Sequence, residues 1–142
     1  MASSIDSIGR ASIAANIKIK EIMTKNVVTI GTDELVSDMV KKMILKDVEC
    51  IPVTSLGKLR GLITFRDIIK KVVYRQKDPK KVRVKDIMTK SLITSGPDST
   101  VIEVVKLMKN RKLRRIPIID KHNKLIGLVT NFDLAIFGWD TE

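Results

Sequence analysis

The chain is poor in the residue types that build disulfides, metal centres and stacking surfaces. Cys50 is its only cysteine and His122 its only histidine. Neither a disulfide within one chain nor a zinc site of Cys and His ligands can therefore form. Aromatic residues make up only 4% of the sequence, which leaves few platforms for stacking the bases of single-stranded nucleic acid. We expect a reducing, cytoplasmic setting and a core of Ile, Val, Leu and Met.

Long apolar runs are missing as well. No stretch of the sequence approaches the roughly 18 apolar residues that are needed to span a bilayer. The first twenty residues also lack the continuous apolar segment of a secretion signal. These features predict a protein that is neither exported nor held in a membrane.

Acidic residues are outnumbered by basic ones. The chain has 27 Lys and Arg residues against 16 Asp and Glu residues, which gives a net charge of +11. Such a charge favours anionic partners, namely nucleotides, nucleic acid or an acidic protein surface. The excess of basic residues is equally explained by lysines that only keep the protein soluble. The net charge therefore does not decide which class of partner the protein binds.

Internal repetition is the strongest signal in the chain. The segment Lys20–Lys25 reads KEIMTK and returns sixty-five residues later as KDIMTK at Lys85–Lys90. The likeness extends to Gly61–Asp67 (GLITFRD) and Gly127–Asp133 (GLVTNFD). A duplication of this length predicts two similar halves related by a pseudo-two-fold axis. Because about fifty residues bury too little surface alone, we expect the halves to share one core.

Hydrophobic spacing predicts the same β-α-β-β-α order of elements in each repeat. In the first repeat the expected elements are a strand at 27–30, a helix at 35–44, strands at 51–53 and 59–64, and a helix after Thr64. In the second they are a strand at 92–94, a helix at 101–108, strands at 116–119 and 125–130, and a helix from Asn131. The predicted fold class is α+β, with the sheets of the two repeats packed together. We expect an N-terminal arm at 1–17, repeats at 18–76 and 83–142, and a linker at 77–82.

Two Thr-x-x-Asp segments carry the possible chemistry, Thr64 to Asp67 and Thr130 to Asp133. Each follows a predicted strand and opens a predicted helix. One interpretation is purely structural, because this spacing matches the reciprocal capping box of a helix start. The other is functional, since exposed amide hydrogens suit a phosphate and a nearby carboxylate suits a ribose 2′,3′-diol. The same geometry serves both interpretations.

The order of these segments resembles a tandem CBS (cystathionine β-synthase) domain pair, also called a Bateman module. Each repeat has Ile-Met-Thr before its first strand, an apolar-Pro-apolar second strand, and Gly-x-x-Thr-x-x-Asp at its last helix. The resemblance covers about residues 18–138. It implies a regulatory ligand-binding module rather than an enzyme, with no catalytic cofactor. The implied ligand is an adenosine-containing nucleotide, such as AMP, ADP, ATP or S-adenosylmethionine, bound in clefts between the repeats.

The resemblance also implies two ligand clefts that share residues of both repeats. Cleft A would join Thr64 and Asp67 to Thr89, Ile93, Arg114 and Arg115. Cleft B would join Thr130 and Asp133 to Thr24, Val28, Glu49 and Cys50. Arg66 and Asn131, inside the two Thr-x-x-Asp segments, complete the set of ligand-binding candidates, and no metal ligand is among them. Because Arg114 and Arg115 attract phosphate whereas Glu49 repels it, we expect cleft A to bind nucleotides more tightly.

Partners are predicted from the apolar residues of the last helices. Ile68, Ile69, Val72 and Val73 in one repeat, with Leu134, Ile136 and Phe137 in the other, exceed what one cleft covers. We therefore expect a homodimer, with an effector protein as a possible further partner. Nucleic-acid binding through the basic residues near the linker is the alternative function, although no recognisable reading motif supports it. Catalysis is disfavoured because the sole histidine falls in a predicted turn.

Overall fold

The structure, a computed structural model, describes residues 16–136 apart from the side chain of Ile136. Most of the predicted N-terminal arm, and Phe137 of the predicted dimer surface, lie outside these residues. In the first repeat a 3-10 turn at Ile19–Glu21 precedes β1 (Ile30–Gly31), α1 (Val36–Lys46), β2 (Cys50–Ser55), β3 (Lys58–Thr64) and α2 (Phe65–Ile68). A π-helical turn, Ile69–Val73, continues α2. In the second repeat α3 (Val84–Ile87) precedes α4 (Val101–Arg111), β4 (Arg115–Ile119), β5 (Leu125–Thr130) and α5 (Asn131–Ile136).

The strands form two small sheets, which confirms the predicted α+β class. One sheet has the order β1-β2-β3, with β1 parallel to β2 and β2 antiparallel to β3. The other pairs β4 with β5. None of the helices within residues 16–136 is long and apolar enough to cross a membrane.

The first strand of each repeat was predicted too long. β1 covers only Ile30–Gly31, and the strand expected at 92–94 is absent, with a single parallel bridge from Ser95 to Ile118 in its place. A run of apolar residues indicates that a segment is buried. A strand also needs a neighbouring strand to which it can hydrogen-bond along its length. β1 pairs with only Val53 and Thr54, between which the β2-β3 register shifts. Val28 is nevertheless packed against the core without being part of a strand.

The chain folds into two compact units whose boundaries differ from those of the repeats. The first-repeat unit consists of Val27–Leu92 and His122–Leu125. The second-repeat unit consists of the described residues up to Asn26, Ile93–Lys121 and the described residues from Ile126 onward. Each unit thus contains the Ile-Met-Thr segment of the opposite repeat.

Backbone hydrogen bonds explain this exchange of segments. In the second-repeat unit the Ile19 amide donates to the Ser99 carbonyl at 2.7 Å, and the Val101 amide to the Ile17 carbonyl at 2.9 Å. The first-repeat unit repeats the pattern, because Val84 donates to Glu34 and Val36 to Val82, both at 2.9 Å. In each case the segment satisfies amides at the start of the long helix that it joins, which otherwise lack partners.

Buried side chains form two clusters rather than the single core predicted from the repeat length. In the second-repeat unit Ile19 is fully buried among residues of α4, β4, β5 and α5. In the first-repeat unit Val84 and Ile87 are buried against residues of α1, β2 and β3. Each cluster therefore draws on both repeats, so a short repeat gains the apolar surface that it lacks alone.

The helix after β3 buries part of the apolar surface from which the sequence predicted a homodimer. Val72 is buried and Ile68 is partly buried against the first-repeat core, while Leu134 is fully buried in the second-repeat unit. Ile69 and Val73 are exposed, together with Phe65 at the helix start. The helix therefore presents Ile68 and Val72 to its own core and leaves Ile69 and Val73 as the part of the predicted apolar excess that stays exposed.

Candidate functional site

Thr64 and Asp67 lie where β3 passes into α2. Asp67 Oδ2 accepts hydrogen bonds from the Thr64 amide at 3.0 Å and from the Thr64 hydroxyl at 3.3 Å. These bonds belong to the predicted helix-capping geometry. The cap leaves Asp67 Oδ1 for other partners.

Thr89 reaches the same carboxylate from the exchanged segment. The Thr89 amide donates to the Leu62 carbonyl and the Leu62 amide donates to the Thr89 carbonyl, both at 3.0 Å. The Thr89 hydroxyl donates to Asp67 Oδ1 at 3.1 Å. Gly61 allows the segment to come this close, because a Cβ atom there would lie 2.6 Å from Met88 Sδ and 3.0 Å from Met88 Cβ. The structure thus brings together Thr64, Asp67 and Thr89, which the family resemblance assigned to one cleft.

Lys71 is a member of this site that the sequence reasoning missed. Its ammonium lies 3.0 Å from Asp67 Oδ1 and also donates to the Ile87 carbonyl at 2.9 Å. The Asp67 side chain is only 13% exposed. The spacing of four residues from Asp67 was the available signal, because such pairs meet on a helix surface. We call Thr64, Asp67, Lys71 and Thr89 the first Thr-Asp cluster.

The second-repeat unit holds a matching arrangement, which we call the second Thr-Asp cluster. Asp133 Oδ2 accepts from the Thr130 amide at 2.9 Å and the Thr130 hydroxyl at 3.2 Å. The Asp133 amide donates back to the Thr130 hydroxyl at 3.3 Å. Thr24 donates to Asp133 Oδ1 at 3.2 Å, and its backbone trades hydrogen bonds with Leu128 at 2.9 and 3.0 Å.

The two clusters differ in charge. Four residues after Asp133 the sequence has Phe137 where the first repeat has Lys71. Within residues 16–136, no Lys or Arg side chain forms an ion pair with Asp133. Among the described residues, the partly buried Asp133 carboxylate of the second cluster therefore has no cationic partner, whereas the first cluster holds an ion pair.

The other sequence candidates are distributed over the two units. Ile93, Arg114 and Arg115 belong to the second-repeat unit, whereas the first Thr-Asp cluster belongs to the first-repeat unit. Val28, Glu49 and Cys50 belong to the first-repeat unit, whereas Asp133 belongs to the second. Their assignment to common clefts stays a prediction. Arg66 is exposed on α2, and the Asn131 amide donates to the Arg114 carbonyl at 2.9 Å.

One hydrogen-bond donor of the Arg115 side chain lacks an acceptor among the described residues. Its Nε atom is buried and has no hydrogen-bond partner among the described residues. An unsatisfied buried donor costs about 1–3 kcal/mol, and a donor on a charged group costs more. An anion bound beside Arg115 would satisfy this atom.

Glu49 lies beside an apolar cavity of the first-repeat unit. The cavity has a volume of about 280 Å³. Asp47 and Glu49 provide its acidic residues, while its apolar lining includes Val40, Ile44, Phe65 and Ile68. Its acidic side chains are poorly suited to a phosphate, in keeping with the repulsion expected of Glu49.

The duplicated α+β chain, with a matching Thr-Asp cluster in each unit, has the architecture of a tandem-repeat module. Residues 19–74 and 84–138 each match the CBS domain. The chain belongs to the CBS-domain family, as its resemblance predicted. CBS-domain pairs are regulatory modules.

Several known proteins share this organisation. The chain is 30% identical over 118 residues to the CBS domain-containing protein YhcV of Bacillus subtilis, covering 83% of each chain. It is 31% identical over 121 residues to an uncharacterised protein of Methanocaldococcus jannaschii, covering 84% of this chain but only 43% of that relative. The CBS domain pair of protein MJ0100, solved with 5′-methylthioadenosine and S-adenosyl-L-methionine, superposes with a TM-score of 0.74 at 28% identity. That match covers 85% of this chain and 95% of the other.

These comparisons bear on the two functions left open by the sequence. The regulatory, ligand-binding class is supported, and nothing in the family match or these neighbours favours nucleic-acid binding.

Proposed function

We propose that the chain is a regulatory module that senses an adenosine-containing nucleotide and catalyses no reaction itself. The observation that carries the proposal is the Asp133 carboxylate, held by Thr24 and Thr130 and left without a cation among the described residues. The MJ0100 pair, which resembles the chain in fold and sequence, was solved with two adenosine-containing ligands. AMP, ADP, ATP and S-adenosylmethionine are the candidates.

The chemistry of the second Thr-Asp cluster suits a ribose. A carboxylate accepts hydrogen bonds at about four lone-pair positions. Among the described residues, Asp133 accepts hydrogen bonds from the Thr130 amide, the Thr130 hydroxyl and the Thr24 hydroxyl. The Asp133 carboxylate can therefore accept a further hydrogen bond from a sugar hydroxyl. A hydrogen bond from a hydroxyl to a charged acceptor is among the stronger ones.

Positively charged side chains of the same unit suit a phosphate. Arg115 offers its unsatisfied Nε–H, and Arg114 offers an exposed guanidinium. A guanidinium binds a phosphate through two parallel hydrogen bonds. The proposed ligand-binding residues remain those of the sequence analysis.

Calorimetric titration with AMP, adenosine and S-adenosylmethionine tests the proposal. We expect at least one of them to bind, and Asp133→Asn to weaken that binding by about ten- to a hundredfold. The reason is the loss of a charged acceptor, which contributes about 1.5–3 kcal/mol. Asp38→Asn is the matched control, since Asp38 is an exposed carboxylate of α1 outside both clusters.

Two results would contradict this assignment. One is the failure of folded protein to bind any of the three ligands at millimolar concentration. The other is an equal loss of affinity in Asp38→Asn and Asp133→Asn, which would mean that the loss is not specific to the second Thr-Asp cluster.

The exposed face of the helix after β3 supports the proposal of a homodimer. Phe65, Ile69 and Val73 recur at every fourth position and are 49%, 59% and 66% exposed. Arg66 and Lys70 stand next to this stripe in sequence, and Phe65 also lines the cavity that carries Asp47 and Glu49. Both charge signs therefore border one apolar surface, so that two copies of it related by a two-fold axis could pair apolar with apolar and opposite charges with each other.

We expect Ile69→Glu to convert the dimer to a monomer, as measured by light scattering at micromolar concentration. A charge placed in the middle of an apolar contact would have to be buried without a partner, which strongly opposes association. Leu56→Glu is the control, because Leu56 is 91% exposed in the β2-β3 turn and lies outside the stripe. A wild-type chain that is already monomeric, or an Ile69→Glu variant that remains dimeric, would refute this interface.

A further inference from the structure

The two Thr-Asp clusters differ in how fully their carboxylates are occupied. Asp67 Oδ2 accepts two hydrogen bonds from Thr64, and Oδ1 accepts from Thr89 and Lys71. These four donors match the roughly four lone-pair positions of a carboxylate. A sugar hydroxyl can bind Asp67 only by displacing one of them. Asp133 has no such fourth donor among the described residues.

Of the two donors on Asp67 Oδ1, Lys71 is the harder to displace, because it carries a charge. Its ammonium contacts both Asp67 Oδ1 and the Ile87 carbonyl, and its side chain is 32% exposed. Breaking the contact would leave a carboxylate that is 13% exposed without its cation. Separating a partly buried ion pair costs more than separating one in water, because the groups are less well solvated and less screened by salt.

We propose that Lys71 is a specificity-determining residue that closes the first Thr-Asp cluster to ribose hydroxyls. One chain then binds an adenosine-containing ligand preferentially at the second Thr-Asp cluster. This inference rests on the proposed function, and it reverses the sequence-based expectation that the cleft with Asp67 is the tighter one.

The test uses adenosine, which carries no phosphate, so that removing a positive charge does not alter phosphate attraction. In a chain carrying Asp133→Asn, we expect Lys71→Met to strengthen adenosine binding about tenfold, as measured by calorimetry. Methionine retains the aliphatic side chain but removes the ammonium. Binding of 2′,3′-dideoxyadenosine should not change, since it has no ribose diol. Lys70→Met, at an exposed position of the same helical segment, is the matched control.

Folding is checked separately, because Lys71 also bonds the Ile87 carbonyl. Circular dichroism and thermal melting should show a folded chain, and Lys71→Gln provides a second variant that keeps a donor but lacks the charge. We expect Lys71→Gln to strengthen adenosine binding in the same direction as Lys71→Met.

The outcomes separate this inference from the proposed function. If wild-type protein binds adenosine but neither Lys71 variant strengthens the Asp133→Asn background, the role of Lys71 is wrong and the proposed function stands. Equal strengthening for dideoxyadenosine, or by Lys70→Met, also overturns it, because the effect would not involve the diol. If neither the wild type nor any variant binds an adenosine-containing ligand, both proposals fail.

Discussion

Replacing Ile19 with alanine should destabilise the second-repeat unit, although Ile19 comes before the whole first repeat in sequence. Ile19 is fully buried against α4, β4, β5 and α5. Truncation of a buried Ile to Ala leaves a cavity and typically costs about 2–5 kcal/mol. Urea denaturation should show this loss. Native-state hydrogen exchange should show reduced protection at residues 101–134.

Ile44→Ala is the matched control for Ile19→Ala. Ile44 is of the same residue type but is 72% exposed, so its truncation should change the unfolding free energy by little. If Ile19→Ala instead reduced protection mainly at residues 30–63, the segment would belong to the first-repeat core. That result would contradict the exchange of segments.

Gly61→Ala should destabilise the first-repeat unit by about 1–3 kcal/mol, the usual cost of forcing extra volume into a packed site. The added methyl would meet Met88 at its Sδ, Cγ and Cβ atoms, at 2.6, 2.8 and 3.0 Å. The Sδ end can rotate away, but Cβ can move only with the backbone of the exchanged segment. That movement would also disturb the Leu62–Thr89 hydrogen bonds and the contact from Thr89 to Asp67.

Thermal melting checks this prediction, with Gly96→Ala as the control. A Cβ atom at Gly96 meets nothing within 4 Å, so this change should be tolerated. Adding Met88→Ala to Gly61→Ala should cost less than the sum of the two single changes, because each relieves the other's misfit. Equal melting temperatures for Gly61→Ala and Gly96→Ala would show that the close approach of Met88 is unimportant.

Much of the fold could be predicted from the sequence, because the patterns that indicate its helices and strands are local and occur in both repeats. The spacing of apolar residues located α1, α4 and strands β2, β3 and β5 to within a few residues, and Thr-x-x-Asp located both helix caps. The first strands were less predictable. Each repeat has a mostly apolar segment at this place, Val27–Ile30 in the first and Leu92–Thr94 in the second. Whether such a segment forms a strand depends on hydrogen bonds to a partner strand, which the local pattern does not specify.

The candidate site was predicted in part. Thr64 with Asp67, and Thr130 with Asp133, follow from spacing along one stretch of chain. Thr89 and Thr24 were grouped with Asp67 and Asp133, which they contact in the structure, only through the family resemblance. Lys71 was missed because a lysine on an amphipathic helix is ordinarily a solvated charge, and spacing does not reveal how deeply the Asp67 carboxylate is buried.

The sequence by itself determined that this protein is a duplicated α+β chain of the CBS-domain family with a capped Thr-Asp pair in each repeat. These properties depend on residue order and on contacts between near neighbours in the chain. Only the tertiary structure decided that each unit takes the Ile-Met-Thr segment of the opposite repeat, and that two cores form instead of one. The physical reason is that buried area and hydrogen-bond partners for these segments come from residues far away in sequence. In the same way, only the positions of the described residues in space show that Asp67 has a cationic partner among them whereas Asp133 has none.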